Sequence, residues 1–184
     1  MSFTHPDYKK ALNFAASKHQ GQKLPGTDLP YLVHVVDVAM EVMVAGFQSE
    51  NFDTDLAVNV ALLHDAMEDT DTSYQEVKSS FNQQIADAVL ALTKFMNLEK
   101  EERMNNSLQR IKEQQKEIWA VKLADRITNL SAPALDWDYA KRKRYMDGSV
   151  NILNELSEAN VYLAKRLQDA ITEYVHYVDT GVKQ

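Results

Sequence analysis

Four residues set the tightest limit on how this chain can fold. His34 in PYLVHVVDVA, His64 and Asp65 in HDAMED, and Asp125 in VKLADRITNL all sit in apolar stretches. An imidazole or carboxylate carried into an apolar interior must find a partner there. A fold that satisfies all four has to bring three distant segments to one point. Taken singly, His34 among Leu32, Val33, Val35 and Val36 reads as a core histidine bonded to a carbonyl. Asp125 reads as the acid of an internal salt bridge with Lys122 or Arg126. Taken together, two imidazoles and two carboxylates form a ligand set suited to Mn²⁺, Fe²⁺ or Zn²⁺. Four protein ligands leave two positions of an octahedral ion for water and substrate, as a catalytic site requires.

The rest of the chain reads as helices. Only 5 Gly and 4 Pro interrupt it. Tyr8, Ala11, Leu12, Phe14 and Ala15 recur at helical spacing in a first helix from about Pro6 to His19. GQKLPGTDLP then breaks the pattern and predicts a loop. A second helix is expected over Leu32 to Ala45, stopped at Gly46. A third starts with Asp53 or Thr54 as its cap and runs through Leu56, Ala57, Val60, Ala61 and Leu63 into HDAMED. Ser73 and Glu76 have the form of a capping box and open a fourth; a fifth covers roughly Gln83 to Thr93. LEKEERMNNSLQRIKEQQKE is polar on most faces and reads as a solvated helix and loop. IWAVKLADRITNL returns a helix to the core. Asp136-Trp137-Asp138 marks a helix start, and two further helices follow near Tyr139–Leu156 and Asn160–Val178. No strand alternation or internal repeat stands out, so residues 1–184 read as a single all-α domain.

Within HDAMED, His64 and Glu68 are four residues apart, and so are Asp65 and Asp69. On a continuous helix each pair would stack on one face. Four polar groups would then converge on the end of a helix otherwise lined by Leu62, Leu63 and Ala66. So much buried acid calls for a cation.

Composition narrows the function. The net charge is −7 and the isoelectric point about 5.2, which argues against general binding to nucleic acid or an acidic membrane. A small anionic substrate stays open, because a bound cation inverts the local field. With no Cys, disulfides and thiolate metal sites are excluded. MSFTHPDYKK has no apolar signal core and no run is long enough to span a bilayer, so a cytoplasmic location is expected.

The H…HD…D pattern resembles that of the HD phosphohydrolase superfamily. HQGQKLPGTDLPYLVH, LLHDAMEDT, VKLADRITNL and RYMDGSVNILNEL resemble successive motifs of the RelA/SpoT-type hydrolase domain, over roughly positions 5 to 175. The length resembles that of the single-domain small alarmone hydrolases. The resemblance implies an all-helical HD-domain bundle that uses Mn²⁺ to remove the 3′-pyrophosphate of (p)ppGpp, an alarmone of the stringent response, giving GDP or GTP and pyrophosphate. It implies metal ligation by His34, His64, Asp65 and Asp125. It implies that Glu68 and Asp69 orient and deprotonate the attacking water, and that Lys23 and Asn129 contact the nucleotide.

Lys23 stands where the family usually has Arg, Leu24 where Lys is usual, Val35 where Pro often follows the first His, and Thr128 where His or an aromatic is common. These departures leave the metal and water machinery intact and alter the grip on the nucleotide. Two other readings therefore stay open: an HD phosphohydrolase acting on another nucleotide, such as a nucleotidase or NADPH phosphatase, and a non-catalytic alarmone binder. Among the remaining residues, His19 reads as offsetting a helix C-terminus, and His5 and His176 as solvated. Trp119 and Trp137 read as packing residues. Lys141-Arg142-Lys143-Arg144 reads as a solvated face able to attract a polyanion.

Overall fold

The computed structural model describes residues 5–130 and 137–180, and among them every regular element is a helix. The bundle is built around α3 (Thr54–Leu63), in which every residue from Leu56 to Leu63 is buried. A helix apolar on all sides belongs at the centre of a fold. Around it pack α1 (His5–Lys18), α2 (Leu32–Phe47), α6 (Gln83–Leu92) and α8 (Lys116–Asn129). The short α4 (Ala66–Asp69) and α5 (Tyr74–Ser80) connect α3 to α6. The polar α7 (Lys100–Lys112) flanks α6 and α8, while α9 (Tyr139–Leu156) and α10 (Val161–Thr180) close the far side.

The helix starts follow local chemistry. Asp53 accepts a hydrogen bond from the Leu56 amide, Ser73 from Glu76, Asn82 from Ile85 and Asp138 from Lys141. Each side-chain oxygen satisfies an amide that the first turn leaves without a partner. Asp138 is thus the cap expected around Trp137; Asp136 and the His5 side chain lie outside the described residues. Among the described residues no helix is long and apolar enough to cross a membrane.

Two expectations need correction. The third helix does not run through HDAMED: it stops at Leu63, His64 and Asp65 form a turn, and α4 begins at Ala66. The His64 Nδ1 lies 2.7 Å from the Ala61 carbonyl oxygen. A side chain that bonds its own turn competes with the backbone ladder. The turn from Asp65 to Asp69 survives, with the Asp69 amide donating to the Asp65 carbonyl at 2.9 Å, while Glu68 and Asp69, adjacent on α4, reach different partners. The second correction concerns the polar stretch. It holds the expected helix, α7, but not a wholly solvated one, since Leu108 and Ile111 are buried. Ser107 donates to the Ala91 and Leu92 carbonyls, and Arg110 to those of Leu90 and Thr93. Side chains of α7 thus cap the C-terminal end of α6.

The contact between α2 and α3 depends on a glycine. Gly46 lies inside α2, where Gly costs about 1 kcal/mol relative to Ala. A Cβ added there would stand 2.2 Å from Thr54 Oγ1 and 2.9 Å from its Cγ2. We expect Gly46→Ala to destabilise the protein by about 1–3 kcal/mol through overpacking, despite alanine's better helix propensity. Thr54→Ala in the same chain should recover part of the loss. Urea unfolding checks this, and a Gly46→Ala protein as stable as the parent would show that the helices do not approach so closely.

Candidate metal centre

α2 and α3 are joined by a short loop, so the start of α2 lies beside the end of α3. His34 stands in the first turn of α2, His64 directly after α3, and Asp125 just before the last turn of α8. All three are buried, and one ligand atom from each lies within 4.8 Å of the others. Asp65 joins them: its Oδ2 is 2.9 Å from His64 Nε2 and 3.6 Å from His34 Nε2. Asp125 Oδ1 is 3.5 Å from His34 Nε2 and 3.7 Å from His64 Nε2. The four residues that sequence analysis selected are brought to one place.

The hydrogen bonds on the far side of each ring define its tautomer. The Ala61 carbonyl can only accept, so His64 Nδ1 carries a proton. The Thr128 hydroxyl donates to the Asp125 carbonyl at 2.9 Å, which leaves its oxygen to accept from His34 Nδ1 at 3.3 Å. Both Nε2 atoms are buried and make no directed hydrogen bond, although carboxylate oxygens stand near them. Orphaned ring nitrogens facing carboxylate oxygens suit a cation between them, and backbone or hydroxyl partners on Nδ1 are the usual orienting contacts of metal-binding histidines. The donor set therefore fits a divalent metal ion.

The electrostatics agree. Burial pushes His64 down, but the charges of Asp65 and Asp125 outweigh it, and with no cation bound its pKa rises to about 10. Burial works against the Asp125 carboxylate, yet Lys122 and the two imidazoles hold it well below the ordinary range. Lys122 Nζ lies 2.8 Å from Asp125 Oδ2, so the salt bridge occupies one oxygen and leaves Oδ1 facing the two imidazoles. Asp65 is lowered too: burial opposes its charge, and His64 prevails.

A loop between α1 and α2 grips the turn at 64–69. Tyr31 donates to Asp65 Oδ2 at 2.5 Å, and Gln22 Nε2 donates to Asp69 Oδ2 at 3.1 Å. His19 is buried rather than merely terminal: its Nδ1 lies 2.7 Å from Gln22 Oε1, and its ring centroid is 5.0 Å from that of Tyr31. Asp69 reaches the surface, and partial burial of its carboxyl together with the Asp65 charge raises its pKa. Glu68 faces the other way. Lys94 binds both its oxygens, through the backbone amide at 2.8 Å and Nζ at 2.6 Å.

Above these acids opens a cavity of about 810 Å³. Asp65, Glu68, Asp69 and Asp125 share its wall with the cations Lys94, Lys100, Lys122, Arg126, Lys141 and Arg144. Tyr31, Trp137 and Tyr145 add aromatic surface, with Arg126 over the Tyr145 ring and Lys141 over Trp137. Asn129 lines the cavity and donates to Asp125 Oδ1 at 2.5 Å. Lys23 is not brought there: it is exposed and pairs with Asp28 at 2.5 Å. Lys94 and Lys100 escaped sequence analysis, which read Arg126 only as a salt-bridge partner for Asp125. Lys100 lies in the polar stretch set aside as solvated, and the alternation of Lys141 and Arg144 with Lys143 and Arg142 emerges only once α9 has a defined rotation.

Comparison with known proteins gives a consistent picture. The HD domain family profile matches residues 11–160. The human guanosine-3′,5′-bis(diphosphate) 3′-pyrophosphohydrolase is 30% identical over 165 residues, spanning 86% of this chain and 89% of that protein. The zebrafish protein of the same name is 28% identical over 169 residues, spanning 89% and 92%. An Aquifex aeolicus guanosine-3′,5′-bis(diphosphate) 3′-pyrophosphohydrolase is 32% identical over 164 residues, but this chain spans only 21% of it. A solved structure described as a metazoan ortholog of SpoT that hydrolyzes ppGpp superposes with a TM-score of 0.81 at 25% identity, covering 94% of this chain and 98% of that one. The profile match over most of the chain and the relatives matched nearly end to end show that this protein belongs to the HD domain family, alongside the SpoT-type hydrolases.

Proposed function

We propose that this protein is a metal-dependent phosphohydrolase that removes the 3′-pyrophosphate of (p)ppGpp, releasing GDP or GTP and pyrophosphate. One observation carries the reading: two orphaned imidazole nitrogens stand beside Asp65 and Asp125, and those two carboxylates line a cavity that six Lys and Arg side chains also line, on a chain of net charge −7. Such a cavity suits an anion with phosphates at both ends. The activity named for the relatives supports the reaction class. Residues 1–184 are read as a single HD-type phosphohydrolase domain, supported by one hydrophobic core drawing on helices from α1 to α10.

In this reading His34, His64, Asp65 and Asp125 hold the ion, and Mn²⁺ suits their mixed nitrogen and oxygen set. When bound, it supplies a Lewis acid for the phosphoryl oxygens and an acidified water. Asp69, with its raised pKa and one oxygen held by Gln22, would accept the proton of the attacking water. Glu68, fixed by Lys94, orients the water. Asn129 holds Asp125 and turns its remaining amide capacity to the nucleotide. The anion-facing role expected of Lys23 passes to Lys100, Lys141 and Arg144.

A phosphohydrolase acting on another nucleotide, such as NADPH, is the second reading. It is favoured by the same departure: neither Lys23 nor Leu24 lines the cavity. Incubation with ppGpp, pppGpp, ppApp, NADPH and deoxynucleotides in the presence of Mn²⁺ separates the two. Pyrophosphate released from ppGpp is the expected product. Inorganic phosphate from NADPH, with ppGpp left intact, would transfer the assignment to the second reading.

Two classes of variant should part company. Asp125→Asn is expected to lose the ion and nearly all turnover. Asp69→Asn should keep the ion, measured by elemental analysis, yet lose about 10²–10⁴ in kcat, as for a general base. Loss of the metal in Asp69→Asn would place that residue among the ligands instead.

Metal binding should also depend on pH. The His64 pKa is raised to about 10 with no cation bound, so near neutral pH the ion must displace a proton there. Affinity should therefore climb with pH through the range below that value. Calorimetry at pH 8, in buffers of different ionisation enthalpy, should report about one proton released per ion. A pH-independent affinity would mean that no proton has to leave His64 when the ion binds.

A further inference from the structure

The carboxylate of Glu68 is held by one residue at two points. Lys94 donates its backbone amide to Oε2 at 2.8 Å and its ammonium to Oε1 at 2.6 Å. Both oxygens are engaged, so the carboxylate plane has little freedom to turn. Bidentate, charge-assisted contacts add geometric definition as well as energy. Burial acts to discharge Lys94, but Glu68 and the Asp125 and Asp65 carboxylates outweigh it, so the ammonium stays charged.

The position of Lys94 is itself built. It follows Thr93, the C-cap of α6. The last carbonyls of that helix, from Leu90 to Thr93, are capped by Ser107 and Arg110 of α7. The Arg110 guanidinium also lies 3.9 Å from the centroid of Phe95. Arg110 does not line the cavity. A continuous set of contacts therefore runs from α7, through the end of α6, to a carboxylate at the reacting centre.

We propose that Lys94 is a positioning residue for Glu68, and that the α7-capped end of α6 exists at this place to hold it there. The inference rests on the reading that Glu68 orients the attacking water. A water-orienting carboxylate works by placement, so a small rotation costs rate rather than substrate affinity.

The test uses the full chain with Mn²⁺ and ppGpp. Lys94→Met should lower kcat by tenfold or more, move KM by less than threefold, and leave metal content unchanged. Lys94→Arg keeps a charged donor and should recover kcat to within about threefold of the parent. In a Glu68→Gln background, Lys94→Met should cost less than threefold. A rise in KM at constant kcat would make Lys94 a substrate contact and overturn the proposal. An undiminished kcat cost in the Glu68→Gln background would do the same. If the parent turns over no ppGpp, the functional reading fails first. The Lys94–Glu68 link is then judged by a double-mutant cycle in urea unfolding, where strict additivity would end it.

Discussion

Asp65 and Asp125 carry negative charge to a place where helices α2, α3 and α8 meet, and that burial governs the surrounding structure. A carboxylate withdrawn from water without compensation costs several kcal/mol. Lys122 offsets part of this on one side of Asp125, and Tyr31 offers a hydroxyl to Asp65. What remains falls on two imidazoles whose Nε2 atoms face the acids without a directed bond. With no cation bound the acids draw a proton onto His64; a divalent cation held among them would compensate the same charge. The arrangement is therefore poorly compensated as a piece of protein interior and well suited as a binding site.

The break at His64–Asp65 follows from the same demand. A continuous helix would keep Asp65 on the rotation that α3 dictates. By bonding back to Ala61, His64 ends the ladder and aims its other nitrogen at Asp65 and Asp125. The chain then restarts in α4, where Glu68 and Asp69, as neighbours about 100° apart around a helix, point different ways. They are received from opposite sides: Asp69 by Gln22 of the α1–α2 loop, Glu68 by Lys94 beyond α6. Two adjacent acids thereby acquire different partners, and different partners are how two carboxylates come to play different parts.

Much of this was legible in the residues. The residue types pointed to a candidate metal site because apolar neighbours made each polar group expensive. Asp53, Ser73 and Asp138 act as caps because capping is decided within a few residues. The exception within HDAMED shows where local reasoning stops. Nothing in the spacing of His64, Asp65, Glu68 and Asp69 reveals that a side chain will take the Ala61 carbonyl from the backbone. His19 likewise looked like a residue offsetting a helix end, whereas it is buried against Tyr31 and bonded to Gln22. Lys94 gave no signal at all, since its role arises from the path of the chain after α6.

The amino-acid order alone determined the class of fold, the chemistry of the ligands and the family resemblance, because helical periodicity, capping and ligand type are properties of short segments. Only the tertiary structure decided which cations face the cavity, which partner each carboxylate receives, and that Lys23 stands aside. Those outcomes depend on the rotation of one helix against another. Packing fixes that rotation across the whole core, where contacts between residues far apart in sequence outweigh any local preference.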